Sequence, residues 1–135
     1  MDTIMIQFFV PGEPAAQGSN RHVGNGRMVE MSKKLPKWRA AVKEAASTAH
    51  QGKPPIDAPV RVTARFFMPK PKRPMFPMPA VAPDLDKLQR AVGDALEQSG
   101  VLKNDSRIIS WDASKAFAEH GAPMGVHITI THEEP

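Results

Sequence analysis

A proline-rich segment divides the chain and limits what its middle can form. Residues 69–83 read PKPKRPMFPMPAVAP and contain six prolines. Because proline lacks an amide hydrogen and fixes φ, this segment suits neither an α-helix nor a central β-strand. We expect an exposed, semi-rigid loop that carries Lys70, Lys72 and Arg73. The alternative interpretation is a simple spacer.

Hydrophobic patterns on both sides of this loop predict regular structure. Residues 58–69 alternate apolar side chains with Arg61, Thr63 and Arg65, which is typical of a strand with one buried and one basic face. Residues 84–99 place apolar side chains at helical spacing, and Gly100 suits the position after a helix end. Two further strands are expected within 106–120 and 123–132, joined near Gly121.

The N-terminal part predicts a strand, a long loop and a helix. The β-prone run that begins at Thr3 ends at Pro11-Gly12, and residues 12–30 are rich in Gly, Asn and Ser, with a short hairpin predicted at 24–26. We expect Ser32 to cap a helix that has Pro36 in its first turn and ends near His50.

The predicted order is therefore β, α, β, loop, α, β, β. This order indicates an α+β fold: a single small domain over residues 1–135, with a mixed β-sheet and two main helices packed on it. The length of 135 residues is typical of one domain. There is no cysteine, which excludes disulfides and thiolate zinc sites. No apolar run approaches the ~20 residues of a membrane span, and the N-terminus lacks a basic signal region, so we expect a cytoplasmic protein.

Charge is distributed unevenly along the chain. Between Arg21 and Pro83 there are 13 Lys and Arg residues against three acids, whereas the remainder holds 5 Lys and Arg and 11 acids. A basic region beside an acidic cluster suits a polyanion that carboxylates must approach closely. A solvated surface with uneven charge is the alternative.

The acidic cluster lies around the second predicted helix. Asp84 and Asp86 stand at its start, and Asp105 follows its end. If the loop after the helix folds back, the three carboxylates form an all-oxygen site suited to Mg²⁺ or Mn²⁺. Arg90 lies on the same helical face as Asp86, and Lys115 on the next strand is a second candidate cation. Acids at a helix start are also common because the helix dipole favours them, which leaves a plain capping role open.

The stretch DLDKLQRAVGDALEQSGVLKNDSRIISWDASK resembles the central motif of the RusA-type Holliday junction resolvases. That motif runs D-x-D-N-L-x-K, a helix with D-A-L, a glycine turn, D-D-x-x-[IV], and a lysine on the next strand. Asp84, Asp86 and Asp105 fall on its aspartates, Arg90 on its lysine and Lys115 on its strand lysine.

The resemblance implies a homodimeric, Mg²⁺-dependent endonuclease, often phage- or prophage-encoded, that nicks four-way DNA junctions symmetrically in recombination and repair. It implies that Asp84, Asp86 and Asp105 are catalytic metal ligands and that Arg90 is the catalytic cation. The chain departs from the motif at Lys87, which replaces an asparagine, at Asn104, which replaces the first aspartate of the D-D pair, and at Arg90 itself.

Many phosphate contacts are expected of a junction-binding protein, and they make affinity salt-dependent. The candidate DNA-binding residues are Arg21, Arg27, Lys33, Lys34, Lys37, Arg39, Lys70, Lys72, Arg73, Lys87 and Lys115. Trp38 and Trp111 are interpreted as core residues, and Asp94 as a solvated helix residue. Met75 and Phe76 are interpreted either as a wedge into the junction or as anchors of their own loop. Two competing functions remain open: a non-catalytic module that binds branched DNA, and a general nuclease for branched DNA.

Overall fold

The elements of the fold follow the hydrophobic patterns of the chain. The computed structural model describes residues 3–17 and 25–133, and for residues 25–32 it describes the backbone alone. In chain order the elements are β1 (Ile4–Pro11), α1 (Asn25–His50), β2 (Val60–Met68), α2 (Leu85–Gln98), a 3₁₀ turn (Asp105–Arg107), β3 (Ile108–Phe117) and β4 (Gly125–His132). The predicted order of strands and helices is confirmed.

The strands form one mixed sheet in the order β1-β4-β2-β3. Strand β4 is antiparallel to both β1 and β2, whereas β3 is parallel to β2. A parallel pair needs a long crossover connection, and the proline-rich loop and α2 provide it. The α+β class with a mixed sheet is therefore confirmed, and the edge strand β3 follows α2 through a short loop and the 3₁₀ turn.

Both helices pack on one face of this sheet. Strand β2 buries every second residue, as its sequence predicts, and β4 opposes it with Ile128 against Ala64 and Ile130 against Val62. From α1, Trp38 joins this core at 2% exposure, which confirms its predicted role. Each large apolar side chain buried here contributes about 1.5–3 kcal/mol relative to an exposed one. The helices contribute these fully or almost fully buried residues: Trp38, Val42, Ala46, Leu88, Ala91, Val92, Ala95 and Leu96.

Helix α1 begins earlier than its sequence predicts. The structure places its start at Asn25, so the hairpin predicted at 24–26 is wrong, and Ser32 and Pro36 lie inside the helix rather than at its start. Asparagine and glycine disfavour a helix only modestly in its first turn, whereas Pro36 in the interior costs about 3 kcal/mol, and the packing of the turns around Trp38 outweighs these penalties. The predicted end near His50 is confirmed.

Residues 69–83 form neither helix nor strand, as their prolines predict. Several of their apolar side chains face solvent, with exposures of 77% for Met75, 45% for Phe76 and 55% for Met78. Within the described ranges, no helix has both the length and the apolar character needed to cross a bilayer.

Candidate active site

One face of α2 forms the wall of an open cavity. Its polar members Asp86, Gln89, Arg90 and Asp94 follow the spacing i, i+3, i+4 and i+8, which places them on the same side of a helix. The cavity measures about 210 Å³. Its lining residues are Asp86, Gln89, Arg90, Gly93, Asp94, Asp105, Ile108 and Trp111.

The chain returns from the end of α2 to this cavity through a short, tightly held turn. Gly100 has φ of +84°, a conformation that glycine adopts without strain, and the amides of Val101 and Leu102 both donate to the carbonyl of Leu96 at 3.1 Å. The backbone of Ile56 then forms two hydrogen bonds with this segment. The amide of Ile56 donates to the carbonyl of Val101 at 2.8 Å, and the carbonyl of Ile56 accepts from the amide of Lys103 at 3.0 Å. These contacts carry Asp105 to the wall shared with Asp86, a return that the sequence left open.

Local hydrogen bonds fix the 3₁₀ turn that carries Asp105. The side-chain oxygen of Asn104 accepts a hydrogen bond from the amide of Ser106 at 2.8 Å, and the amide of Asp105 donates to Glu97 at 2.8 Å. Asn104 therefore caps this turn, so its side-chain oxygen has a structural role here.

An ion pair outside the cavity supports the same turn. Arg107 donates to Asp57 at 2.8 Å, and Lys103 lies 3.5 Å from the same carboxylate. The hydrogen bond from Arg107 is the main cause that holds the pKa of Asp57 below its ordinary value. The segment before β2 is in this way joined to residues on both sides of Asp105, namely Lys103 and Arg107.

Asp84 has a different position from the other two predicted catalytic acids. It precedes α2 in an extended conformation, it makes no side-chain capping hydrogen bond, and its side chain is 60% exposed. Its nearest cation is Lys87, with Nζ 3.7 Å from Oδ2. The carboxylate is therefore not used to cap the helix, and it does not line the cavity that contains Asp86 and Asp105.

Lys115 holds the chain that leads into Asp84. Its ammonium group donates to the carbonyl oxygen of Val81 at 2.8 Å and to that of Pro83 at 2.9 Å. Burial lowers the pKa of Lys115, and the charge of Asp84 partly opposes this shift. The lysine thus joins strand β3 to the chain directly before α2.

Asp94 lines the cavity, although the sequence predicts that it is an ordinary solvent-exposed residue of the helix. The side-chain amide of Gln17 donates to Asp94, and Arg39 of α1 donates to the oxygen of the same Gln17 amide. The signal available in the sequence is the spacing of eight residues from Asp86, with Arg90 midway between them. Trp111 was expected in the core. It is partly buried, packs against the core and also lines the cavity.

The predicted DNA-binding cations fall into four groups. Arg39, Lys87 and Lys115 form the first, and they contact Gln17, Asp84 and the carbonyls of Val81 and Pro83 respectively. Lys33, Lys37, Lys72 and Arg73 have exposed side chains. Lys34 lies 3.0 Å from Glu13, and Lys70 contacts both Glu119 and the ring of Phe117, 5.9 Å from its centroid. Arg21 and the side chain of Arg27 lie outside the described residues.

Comparison with protein-family models identifies the family. The model described as endodeoxyribonuclease RusA matches residues 11–131. The chain belongs to the RusA family. Membership implies the nuclease activity of Holliday junction resolvases and binding to branched DNA, and it confirms the resemblance found in the sequence. Comparison with individually curated proteins gave no match.

The resemblance to the RusA motif implies a bound metal ion, so we compare the acidic side chains with the requirements of a metal site. Among residues 3–17 and 33–133, no three His, Cys, Asp or Glu side chains lie close enough together to hold a metal ion. Asp86 and Asp94 are separated by about 12 Å along the axis of α2. The donors are nevertheless carboxylate oxygens beside an open cavity, and Mg²⁺ is commonly bound through one or two carboxylates together with substrate phosphates and water. The side chains therefore fit an ion that the substrate helps to hold.

Proposed function

We propose that this RusA-family chain is a Mg²⁺-dependent endonuclease that resolves four-way DNA junctions by paired symmetric nicks. One observation carries the proposal: Asp86 and Asp105, nineteen positions apart in the sequence, line one cavity with Arg90. Two carboxylates and a guanidinium beside an open surface suit phosphodiester chemistry, in which negative charge must be both approached and neutralised.

The proposed metal ligands are Asp84, Asp86 and Asp105, a set that requires these carboxylates to draw closer together when DNA and the ion bind, because no three acids among residues 3–17 and 33–133 are close enough without them. When bound, Mg²⁺ (or Mn²⁺) polarises the phosphodiester and lowers the pKa of a bound water, which supplies the nucleophile. Asp86 and Asp105 offer their oxygens from the cavity wall, and the exposed Asp84 offers its oxygens from the turn before α2. Because the substrate phosphate completes the ligand set, binding of DNA and of the ion are expected to be coupled.

Arg90 is proposed as the cation that binds the reacting phosphate. Its exposed side chain lies one helical turn after Asp86 and one before Asp94. A guanidinium is planar and stays charged, and it can donate two parallel hydrogen bonds to phosphate oxygens. It is therefore suited to stabilise the extra negative charge of the transition state at the cavity that it lines.

A homodimer is proposed because paired nicks in opposed strands require two sites. A two-fold axis supplies two identical sites in the matching relationship. The exposed cations Lys33, Lys37, Lys72 and Arg73 then supply backbone contacts on each subunit.

Cleavage of a labelled four-way junction tests the proposal. With Mg²⁺ we expect paired, symmetric nicks, and with EDTA we expect binding without nicks. Binding without cleavage under both conditions would favour a non-catalytic module, for which the loss of an acid at Asn104 is the supporting observation. Competition with unlabelled junction, fork and linear duplex separates a junction resolvase from a general branched-DNA nuclease. Cleavage by a junction resolvase is inhibited much more strongly by the junction than by the fork or the duplex, whereas a general nuclease shows no such preference for the junction over the fork.

A further inference from the structure

A second and larger cavity lies beneath the proline-rich loop. It measures about 500 Å³, within the range of cavities that hold small organic groups. Its apolar walls include Met68 at the end of β2, Phe117 at the end of β3, and Met75, Phe76, Met78 and Val81 of the loop itself. We call this space the loop cavity.

The loop side of this cavity exposes apolar surface that the fold does not cover. Met75, Met78 and Phe76 are 77%, 55% and 45% exposed, and Val81 is 45% exposed. Single exposed apolar residues are ordinary, but a group of them around one cavity indicates a binding surface. The six prolines of the segment restrict its backbone, so these side chains are presented with little loss of chain entropy on binding.

Charge around the loop cavity indicates what kind of group it accepts. Two lysines border it, Lys34 from α1, which lies 3.0 Å from Glu13, and Lys70 from the loop, which contacts Glu119. The ammonium group of Lys115, which also lines the cavity, is bound to the carbonyls of Val81 and Pro83. Apolar walls bordered by ammonium groups match a nucleotide, whose flat base is apolar on its faces and whose flanking phosphates are anionic.

The loop cavity is also bordered by the chain segment that leads into the candidate active site. Val81 and Pro83 line it, and the carbonyls of both accept hydrogen bonds from Lys115 at 2.8 and 2.9 Å. The next residue after Pro83 is Asp84. A base held in this cavity would therefore lie close to Asp84, the first of the proposed catalytic acids.

We infer that the loop cavity receives one nucleobase that has left the stack at the branch point of the DNA. This inference rests on the proposed function, because it needs a branched substrate. Unstacking costs least for a base that is not held within a continuous duplex, and a branch point offers such bases. Phe76 and Met75 are then walls of a base-binding cavity rather than a wedge driven between base pairs.

Fluorescence of a substituted base tests the inference. A four-way junction carries 2-aminopurine in place of one base at the branch point, and the protein binds it in EDTA so that no cleavage occurs. We expect fluorescence to rise on binding, as the base leaves its neighbours, and acrylamide quenching to fall, as the cavity shields the base. A base displaced by a wedge into solvent would instead become more accessible to acrylamide, which would overturn the inference.

Matched variants separate the cavity from general effects on folding. Phe76→Ala is expected to abolish the shielding and to weaken junction binding about tenfold, the effect of removing one aromatic ring that stacks on a base. Met75→Ala should act in the same direction, whereas Met5→Ala, at a site on β1 that is 43% exposed and outside the cavity, should match the wild type.

The outcomes also distinguish the inference from the function on which it rests. If wild-type protein binds and nicks the junction but leaves the 2-aminopurine signal unchanged, the inference fails and the proposed function stands. If it binds no junction at all, both fail. If Phe76→Ala leaves the signal intact but dissociates a dimer in sedimentation, the loop cavity is an interface between two copies and the inference is wrong.

Discussion

Lys115 on β3 donates a hydrogen bond from its ammonium group to the carbonyl oxygen of Pro83, at 2.9 Å. A second bond reaches the carbonyl of Val81 at 2.8 Å. The lysine therefore joins the edge strand to the residues directly before Asp84, and its partly buried position explains why its pKa is lowered. Its sequence position suggests a contact to DNA, whereas its geometry indicates a positioning residue.

The first prediction concerns this lysine. Lys115→Met removes both hydrogen bonds while keeping the length of the side chain. Hydrogen bonds from charged groups contribute about 1.5–3 kcal/mol, and we expect the free energy of unfolding to fall by about 1–2 kcal/mol. Single-turnover cleavage at saturating enzyme should slow about tenfold because Asp84 is less well placed, while junction affinity in EDTA changes little.

Lys53→Met is the control for Lys115→Met, since Lys53 is exposed in the connection between α1 and β2 and lines neither cavity. Equal loss of affinity and of cleavage rate in Lys115→Met would mean that Lys115 contacts DNA directly.

A second prediction concerns the exposed cations of the proline-rich loop. The double variant Lys72→Gln, Arg73→Gln should weaken junction binding and reduce the salt slope, d log K/d log[salt], by about one for each phosphate that is no longer neutralised. Binding titrations at several salt concentrations measure the slope. Lys53→Gln should leave it unaltered, and an unaltered slope in the double variant would exclude this loop as a phosphate-binding element.

Gly93 supports a third prediction, in which stability and activity change in opposite directions. A methyl group at this position would lie 3.7 Å from Trp111 and 3.8 Å from Ile108, which are ordinary contacts. Alanine also costs less backbone entropy in a helix, so Gly93→Ala should raise the free energy of unfolding by about 0.5–1 kcal/mol. Because the methyl group enters the cavity beside Asp94, cleavage should slow. Faster or unchanged cleavage would show that this part of the cavity stays empty during the reaction.

The sequence predicted most of this fold because its patterns are local. The alternation in β2 and the apolar face of α2 depend on residues within a few positions of each other, and both elements form where expected. The start of α1 was missed because the penalty of Gly26 and Pro36 can be read locally, whereas the tertiary packing that outweighs it cannot.

The site was harder to predict because it depends on contacts between distant segments. The motif identified Asp86 and Asp105, but nothing in their spacing shows that Ile56 pairs with the loop after α2 and so carries Asp105 to the cavity. The hydrogen bonds of Lys115 to the loop before α2 likewise need coordinates. Asp94 is the exception, since its helical phase relative to Asp86 is visible in the sequence and places both on one face.

A fourth prediction concerns pH. Arg65 donates to both oxygens of Asp112, at 3.0 and 2.9 Å, and this hydrogen-bonded pair holds the pKa of the carboxyl below its ordinary value. A carboxyl whose pKa is lowered by folding stabilises the protein above its unfolded pKa of about 3.9, and that contribution is lost as pH falls through the lowered value.

Urea midpoints measured from about pH 6 downward should therefore show Arg65→Gln less stable than wild type at the higher pH, with the difference narrowing below about pH 4. Arg73→Gln, which removes an exposed arginine outside this pair, should show no such narrowing. A difference for Arg65→Gln that stays constant to the lowest pH would show that Asp112 is not its partner in solution.

The central claim is that Asp86 belongs to a nuclease centre and does not merely favour the start of a helix. Asp86→Asn keeps the size of the side chain and removes one negative charge from an exposed position that lines the cavity. The decisive measurement is cleavage of a labelled four-way junction by this variant and by wild type, side by side in Mg²⁺, with binding measured in EDTA. The account predicts no detectable nicking by the variant, with junction affinity equal to or tighter than that of wild type because a charge that repels phosphate is gone. Nicking by Asp86→Asn at the wild-type rate would contradict it.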